Sequence, residues 1–560
     1  MSITAEEAGR LSRTQSTTAS AISLGNRLGM SNLWVAFMAL LLGLPMGLYQ
    51  VAERSGYFPW LESSHVYFAS TSTHGVLMAY VLTTFFMMGY GYHSMAHSLK
   101  IKTWSPLFSW VGFYLAVFGT ALAALMLLTG KASVMYTFYP PEMANPLFYI
   151  GAVLLVVGSW FWCIDMIAGM TQWKKQNPGK PVPLVMFGTT INALLWLWTS
   201  AGVAIEALFQ LVPVSLGLKE TLDPGMARTL FSWTLHAIVY VWLIPAYIAM
   251  YTLVPKLAGG KLFSDEFARI AFVMLFIFSV PIGFHHLYMD PQQAAGWKLL
   301  HMLGTFMVAV PTFLTGFTVL ASLEIASRLR GGKGVFGWMM SVDWKEPMVV
   351  AGMLAMFMLT FGGFGGLINA SYSLNAMIHN TQWVTGHFHL IFGGTTVIMY
   401  LAVAYWVWPK ITGRQLFSKA MAVWQLWLWF IGMLVLTLPW HYIGLLWYPR
   451  RVSSTPYEHV GVVAQWGIYE LMMVVGGAIL VVSGLLFIYN LIRTHFNKTA
   501  ERDLTVSYAE AIHPPLKVPN ILNSLTFWNW AMVAYMLISY GYPLLQFFFI
   551  GTHGAIPYGI

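Results

Sequence analysis

One cysteine, Cys163, stands among the 560 residues of this chain, and that scarcity removes several chemistries at once. No disulfide can close within the chain, and no thiolate cluster can hold a metal. Any metal here must bind to nitrogen or oxygen. Charge is equally sparse: Asp, Glu, Lys and Arg make up 9% of the residues, against about 25% in an average soluble domain. Polar stretches are short, apart from an opening segment, residues 1–29, which reads as a cytoplasmic tail with no removable signal. What fills the chain is apolar: 58% hydrophobic residues and a mean hydropathy of +0.65. The composition is that of an integral membrane protein.

A window of about 19 residues picks out about thirteen candidate spans, near 31–51, 68–98, 105–130, 145–170, 184–213, 229–255, 268–288, 296–324, 346–367, 384–408, 420–447, 463–492 and 525–552. Several exceed the roughly 20 residues that a bilayer requires, so tilted or protruding helices are expected. The fold class is an all-α bundle of about 13 transmembrane helices, with residues 30–560 forming a single transmembrane domain.

Of the 29 Lys and Arg residues, 22 fall on the side of the N-terminal tail and of the loops after even-numbered spans, including Lys174, Lys175, Arg328, Arg330 and Lys410; the other side holds 7. This positive-inside bias puts the N-terminus in the cytoplasm and, after an odd number of spans, the C-terminus outside. The net charge of +9 is thus mainly a topology signal, and nucleic-acid binding, which needs a basic soluble surface, is not expected.

Six histidines lie within the apolar segments: His74, His236, His285, His286, His387 and His389. Spans two, six and ten run from outside to inside and carry His74, His236, His387 and His389 near their starts. Span seven runs the other way and carries His285 and His286 near its end. All six therefore fall in the outer third of the membrane. A lone membrane histidine is more often a hydrogen-bonded packing residue, but a cluster from four helices at one depth points to metal ligands or proton carriers. His301 and His441, isolated near the outer face, read as structural groups or supports for the cluster, and His93, His97, His495 and His513 as residues of inner loops.

Helix geometry divides the six. At about 3.6 residues per turn, His387 and His389 point to opposite sides of span ten and suit two different metals. His285 and His286 are adjacent, and Pro281 and Gly283 can loosen the preceding turn enough for both rings to converge on one metal. Tyr240 lies four residues after His236 on the same helical face, where a phenol beside three imidazoles could donate a proton and an electron. A three-imidazole site with an open position matches copper, with zinc and iron left open by ligand type alone.

The strings "STHGVLMAY" around His74, "HAIVYVWLIPAY" from His236, "GFHHLYMDP" around His285 and "TQWVTGHFHL" around His387 resemble subunit I of the haem-copper oxygen reductases, over nearly the whole chain. The resemblance implies that His74 and His389 are the axial ligands of a low-spin haem. It further implies that His387 binds a high-spin haem opposite a copper held by His236, His285 and His286, and that Tyr240 is joined to His236. In the largest branch the copper-ligand helix reads His-Pro-Glu-Val-Tyr; here it reads His236-Ala237-Ile238-Val239-Tyr240. The missing glutamate and the string "YTFYPPE" from Tyr136 resemble the B-type, ba3-like branch, although Ala237 replaces the family's proline.

Protons then need another route from the cytoplasm. Tyr247, Tyr251, Ser264, Thr312, Thr315 and Thr318 could relay them with water between, although such hydroxyls in membrane helices more often bond to backbone. The resemblance to the B-type branch favours the relay. Arg450 and Arg451, in "WYPRR", stand against the positive-inside trend and suit haem propionates, with His379 and Asn380 in the same region. Asp165, Glu206 and Glu470 are intramembrane acids without an assigned role. The glycines of "FGGFGG" from Phe361 suit close helix or cofactor approach rather than phosphate binding, since no Lys-Ser/Thr follows.

The expected activity is that of a cytochrome c oxidase catalytic subunit, reducing O2 to water with proton uptake and pumping. The resemblance implies two haems, haem b at the low-spin site and an a-type haem at the high-spin site, and one copper (CuB). With no cysteine pair and no CxxCH string in this chain, electrons must enter through another subunit. Expected partners are a subunit II with a CuA centre, cytochrome c or a similar donor, small single-span subunits and membrane lipid, in the inner membrane of a prokaryote. Two rivals share parts of the pattern. A nitric oxide reductase keeps the six histidines but lacks the helix-six tyrosine and places glutamates around its second metal; a proton-coupled transporter would use the histidines without redox chemistry.

Overall fold

The computed structural model describes residues 5–454 and 465–549, and among them every extended element is a helix. Thirteen of these helices are long and apolar enough to cross a membrane. Many start on a side-chain cap followed by proline, as at Ser105-Pro106, Asn145-Pro146 and Asp223-Pro224. The cap satisfies a first-turn N–H, and proline has none to satisfy.

The expected tail differs from what is observed. The first helix starts at Ala5 and continues to Arg54 without a break at residue 29. Ala21, Leu24 and Leu28 repeat at helical spacing and are already buried, and a Cβ on Gly25 would lie 2.3 Å from Ala96 Cβ, so the second span holds this stretch in the bundle. The C-terminus, expected outside, lies beyond the described residues.

Depth in the bundle is unequal. Of the most apolar stretch in each span, 94% is buried in the second (Ser64–Ser98), 83% in the sixth (Pro224–Leu257) and 89% in the tenth (Gln382–Thr412), against 33% in the third (Pro106–Leu128). The three innermost spans are those that bear His74, His236, His387 and His389, so these rings face protein rather than lipid. The seventh span, Asp265–His286, is regular to Ser279 and then tightens into a 3-10 segment, Val280–His286, in which Pro281 and Ile282 leave helical geometry. Pro281 has no N–H to continue the ladder. Wider π-helical turns occupy Leu77–Leu82, Ala207–Leu211 and His389–Thr396, a deformation common at functional sites.

Candidate metal centre

All six membrane histidines line one cavity of about 720 Å³. On one side of it, His236, His285 and His286 offer nitrogen atoms that all lie within 4.8 Å of one another. The ring centres of His285 are 4.2 Å from His236 and 4.1 Å from His286. The break at Pro281 and Ile282 allows this, because consecutive residues of a regular helix would diverge by about 100°. Nε2 of His236 and Nε2 of His286 are buried without a hydrogen-bond partner. His285 Nδ1 lies 3.0 Å from the Ile282 carbonyl and 3.2 Å from Thr305 Oγ1, which orients its ring and leaves Nε2 free. Three imidazoles held this way fit a single ion that takes nitrogen donors. The Tyr240 ring lies 5.0 Å from His236, nearly perpendicular to it.

His74 and His389 face each other with ring centres 6.2 Å apart and planes 9° from parallel. Two imidazoles bound edge-on to one metal at about 2 Å each, with each nitrogen about 1 Å from its ring centre, would be separated by about 6 Å. His74 Nδ1 donates to the Gly43 carbonyl and His389 Nδ1 to the Thr385 carbonyl, each at 2.9 Å, so both Nε2 atoms are left as ligands. A Cβ on Gly47 would come within 2.8 Å of the His74 ring; only glycine leaves room for that ring orientation. The pair fits a haem iron.

His387, two residues before His389, faces other neighbours. Its ring lies against Gly365 and Gly366 of the "FGGFGG" stretch, where a Cβ on Gly365 would stand 2.7 Å from Nδ1, and it stacks over Trp383. The supporting histidines also find partners. His301 stacks on Phe284 at 3.8 Å, accepts from the Phe284 N–H and reaches the Ser539 carbonyl, while His441 bonds to the Thr437 carbonyl.

Tyr247 and Tyr251 are fully buried along the sixth span, and Tyr251 Oη lies 2.5 Å from Thr315 Oγ1. Thr312 lines the cavity. Tyr247 Oη and Thr318 Oγ1 are buried without partners, the kind of gap that ordered water fills. Ser264 instead caps the seventh span, accepting from Phe267 N–H and donating to Glu266. Ser322, absent from the sequence reading, accepts from Phe263 N–H and donates to the Thr318 carbonyl; its spacing four residues after Thr318 was the available signal.

At the outer end of the cavity stand Arg450, Arg451, His379 and Asn380. Nε of both arginines is buried and unpartnered. Burial and the neighbouring Arg451 charge lower the Arg450 pKa to about 10; burial and Arg450 lower that of His379 to about 4. Asn380 adopts a left-handed backbone, and its carbonyl accepts from Arg450 N–H. Two further arginines line the same cavity. Arg54 donates to the Pro449 carbonyl, lies over Tyr448 and keeps Nη1 unpartnered; Arg228 pairs with Asp290 at 2.7 Å. Both belong to the outer minority of basic residues, a signal the sequence reading used only for Arg450 and Arg451.

The unassigned acids separate. Asp165 accepts from Tyr92 and Ser109, Glu470 is half-buried, and Glu206 is fully buried with both oxygens unpartnered. His93 and His97 are not loop residues: they sit on the helix Thr83–Ser98, at the inner end of the second span, because the buried face of that helix continues through His93.

The family model described as Cytochrome C and Quinol oxidase polypeptide I matches residues 27–479. The chain is 37% identical over 534 residues to cytochrome c oxidase subunit 1 of Thermus thermophilus, covering 92% of this chain and 93% of that protein. It is 25% identical to cytochrome c oxidase subunit 1 of Thermostichus vulcanus, covering 79% and 80%. Among solved structures, a cryo-EM structure of a heme-copper terminal oxidase dimer superposes with a TM-score of 0.90 at 34% identity, covering 95% of each chain.

Proposed function

The chain belongs to the cytochrome c and quinol oxidase polypeptide I family, and from that premise we propose a role for each part of its cavity. The protein is an oxygen-reducing catalytic subunit, a multi-pass membrane oxidoreductase of the haem-copper type. Ile238, where the largest branch carries glutamate, accords with its membership of the B-type branch.

His74 and His389 hold the low-spin haem iron, His387 the high-spin haem iron, and His236, His285 and His286 the copper. The observation that carries this reading is the convergence of three imidazoles in the same cavity as the parallel pair. When bound, the two haems and the copper supply electron transfer and the site of dioxygen reduction. The haems are a b-type at the low-spin site and an a-type at the high-spin site. Tyr240, beside His236, holds a proton and an electron close to the site. Tyr247, Tyr251, Thr312, Thr315 and Thr318 pass protons inward from the cytoplasmic side through water, with Ser264 near the inner end. Arg450 and Arg451, with His379 and Asn380, receive haem propionates, and the unpartnered Nε atoms support that use.

Because the histidines lie in the outer third, proton uptake crosses most of the bilayer and turnover charges it, with pumping in addition. Residues 30–560 act as one domain. Electrons arrive through a subunit II with a CuA centre, from cytochrome c or a similar donor, in the inner membrane of a prokaryote, with small single-span subunits alongside. The test is a reduced-minus-oxidised spectrum of the purified complex, with oxygen consumption on cytochrome c. Two haem components and rapid oxygen uptake are expected. A missing Soret band would leave a non-redox transporter as the better reading.

A further inference from the structure

The geometry points to Glu206 as a redox-linked proton store that exchanges with the outer side of the membrane by way of Gln210 and Asp223. This inference rests on the oxygen-reductase reading above. Glu206 is fully buried, the last residue before the π-helical turn Ala207–Leu211 in the fifth span, Leu184–Ser215. Neither of its oxygens has a hydrogen-bond partner, and no ion pair involves it among the described residues. Val203 and Leu211 on the same span pack with Phe138, Phe148 and Phe231 in an apolar cluster. An ionised carboxylate is poorly tolerated in such surroundings, so Glu206 rests as the neutral acid. Asp165, the other fully buried acid of the spans, differs: two hydroxyls donate to its Oδ2, and only Oδ1 is left without a partner.

Tyr80, on the second span, packs against the same cluster. Tyr80 also lines the metal cavity and donates to the Tyr136 carbonyl, so one apolar cluster joins the Glu206 segment to the cavity wall, and charge that changes in the cavity acts across a medium of low polarity. Outward along the fifth span, Gln210 is buried with Nε2 unpartnered, while its Oε1 accepts from Asp223 N–H at 3.0 Å. Asp223 caps the sixth span through Oδ1 and leaves Oδ2 buried without a partner. The polar atoms left open thus run in order along the chain from Glu206 through Gln210 to Asp223 at the outer end, and water that entered there would bridge them.

When the metals that would bind in the cavity pass an electron to dioxygen, the cavity would become more positive and the O–H bond of the acid weaker. The proton leaves toward Gln210 and Asp223, and a carboxylate remains. Return of an electron draws a proton back, so charge and protons balance over the cycle.

The test is infrared difference spectroscopy of the complete complex during reduction and reoxidation, in H2O and in D2O. A carboxylic-acid C=O band that changes with redox state and shifts in D2O is expected in the wild type and lost in Glu206→Gln, with haem spectra preserved. Hydrogen-to-deuterium exchange at that band should slow roughly tenfold in Gln210→Leu and in Asp223→Asn, which keeps the cap oxygen. A wild-type complex that takes up oxygen normally but whose Glu206→Gln difference spectrum is unchanged would overturn the store. Unaltered exchange in both Gln210→Leu and Asp223→Asn would overturn the outer route. Failure of the oxygen-reductase reading would show separately, as absent haem bands.

Discussion

Two groups of histidines sit at opposite ends of the bundle, the second span carrying members of both, and are used in opposite ways. At the outer end, His74 and His389 give Nδ1 to carbonyls and keep their rings parallel across the cavity, and His236 and His286 leave Nε2 without a protein partner. At the inner end, His93 Nδ1 and His97 Nε2 meet one oxygen, Asn26 Oδ1, at 3.1 and 3.0 Å, and His93 packs against Trp406. Neither inner ring lines the cavity. Burial alone therefore does not mark a ligand. Convergence of unsatisfied nitrogens on shared space does.

Substitution on both sides of that contrast gives the largest effect. His389→Ala is expected to remove the low-spin haem signal and cut oxygen consumption by at least about a hundredfold. His97→Ala, at the inner end, should leave the haem spectrum unchanged and activity within about twofold. An equal loss of haem from both variants, read by pyridine extraction, would erase the distinction.

A second comparison lies within the hydroxyl row. Thr315→Val keeps the side-chain shape but removes the oxygen that meets Tyr251, and turnover should fall about tenfold if protons pass there. Thr312→Val, at the cavity end, should also slow turnover, whereas Ser264→Ala, which mainly loses a helix cap, should lower thermal stability by about 1 kcal/mol with less effect on rate. Stopped-flow reoxidation at fixed haem content separates the two outcomes.

The smallest expected effect concerns pH. His379, outside the spans, has its pKa lowered from 6.5 to about 4 by burial and the nearby arginine charge. Between those values the unfolded chain binds a proton that the folded chain does not, so this stabilising contribution is complete above pH 6.5 and shrinks as pH falls toward 4. Thermal melts of His379→Gln against wild type across that window should show a flatter acid limb in the variant.

The sequence made the outer histidines legible because helical angles alone separate His387 from His389 and because Pro281 announces a break beside His285 and His286. The bundle was legible for a similar reason: thirteen apolar stretches leave little choice of fold. Long-range partners were not legible. Asn26 meets His93 across 67 positions of the chain, and His97 shares that oxygen, a pairing that only folding brings about. The arginine group was half visible, since Arg54 and Arg228 share the outer side with Arg450 and Arg451 but only folding brings them to one cavity wall. The N-terminal segment was partly legible for the opposite reason: a few apolar residues at helical spacing, Ala21, Leu24 and Leu28, pack into the bundle within a stretch that reads as polar.

Copper and haem content decide the central assignment most directly, measured per chain on the purified complex and on its His286→Ala variant, with the copper of subunit II counted separately. The expected result is two haems and one CuB copper in the wild type, with both haems kept and that copper lost in the variant. Two haems with non-haem iron in place of the copper, or a copper that survives His286→Ala, would contradict the three-imidazole copper site.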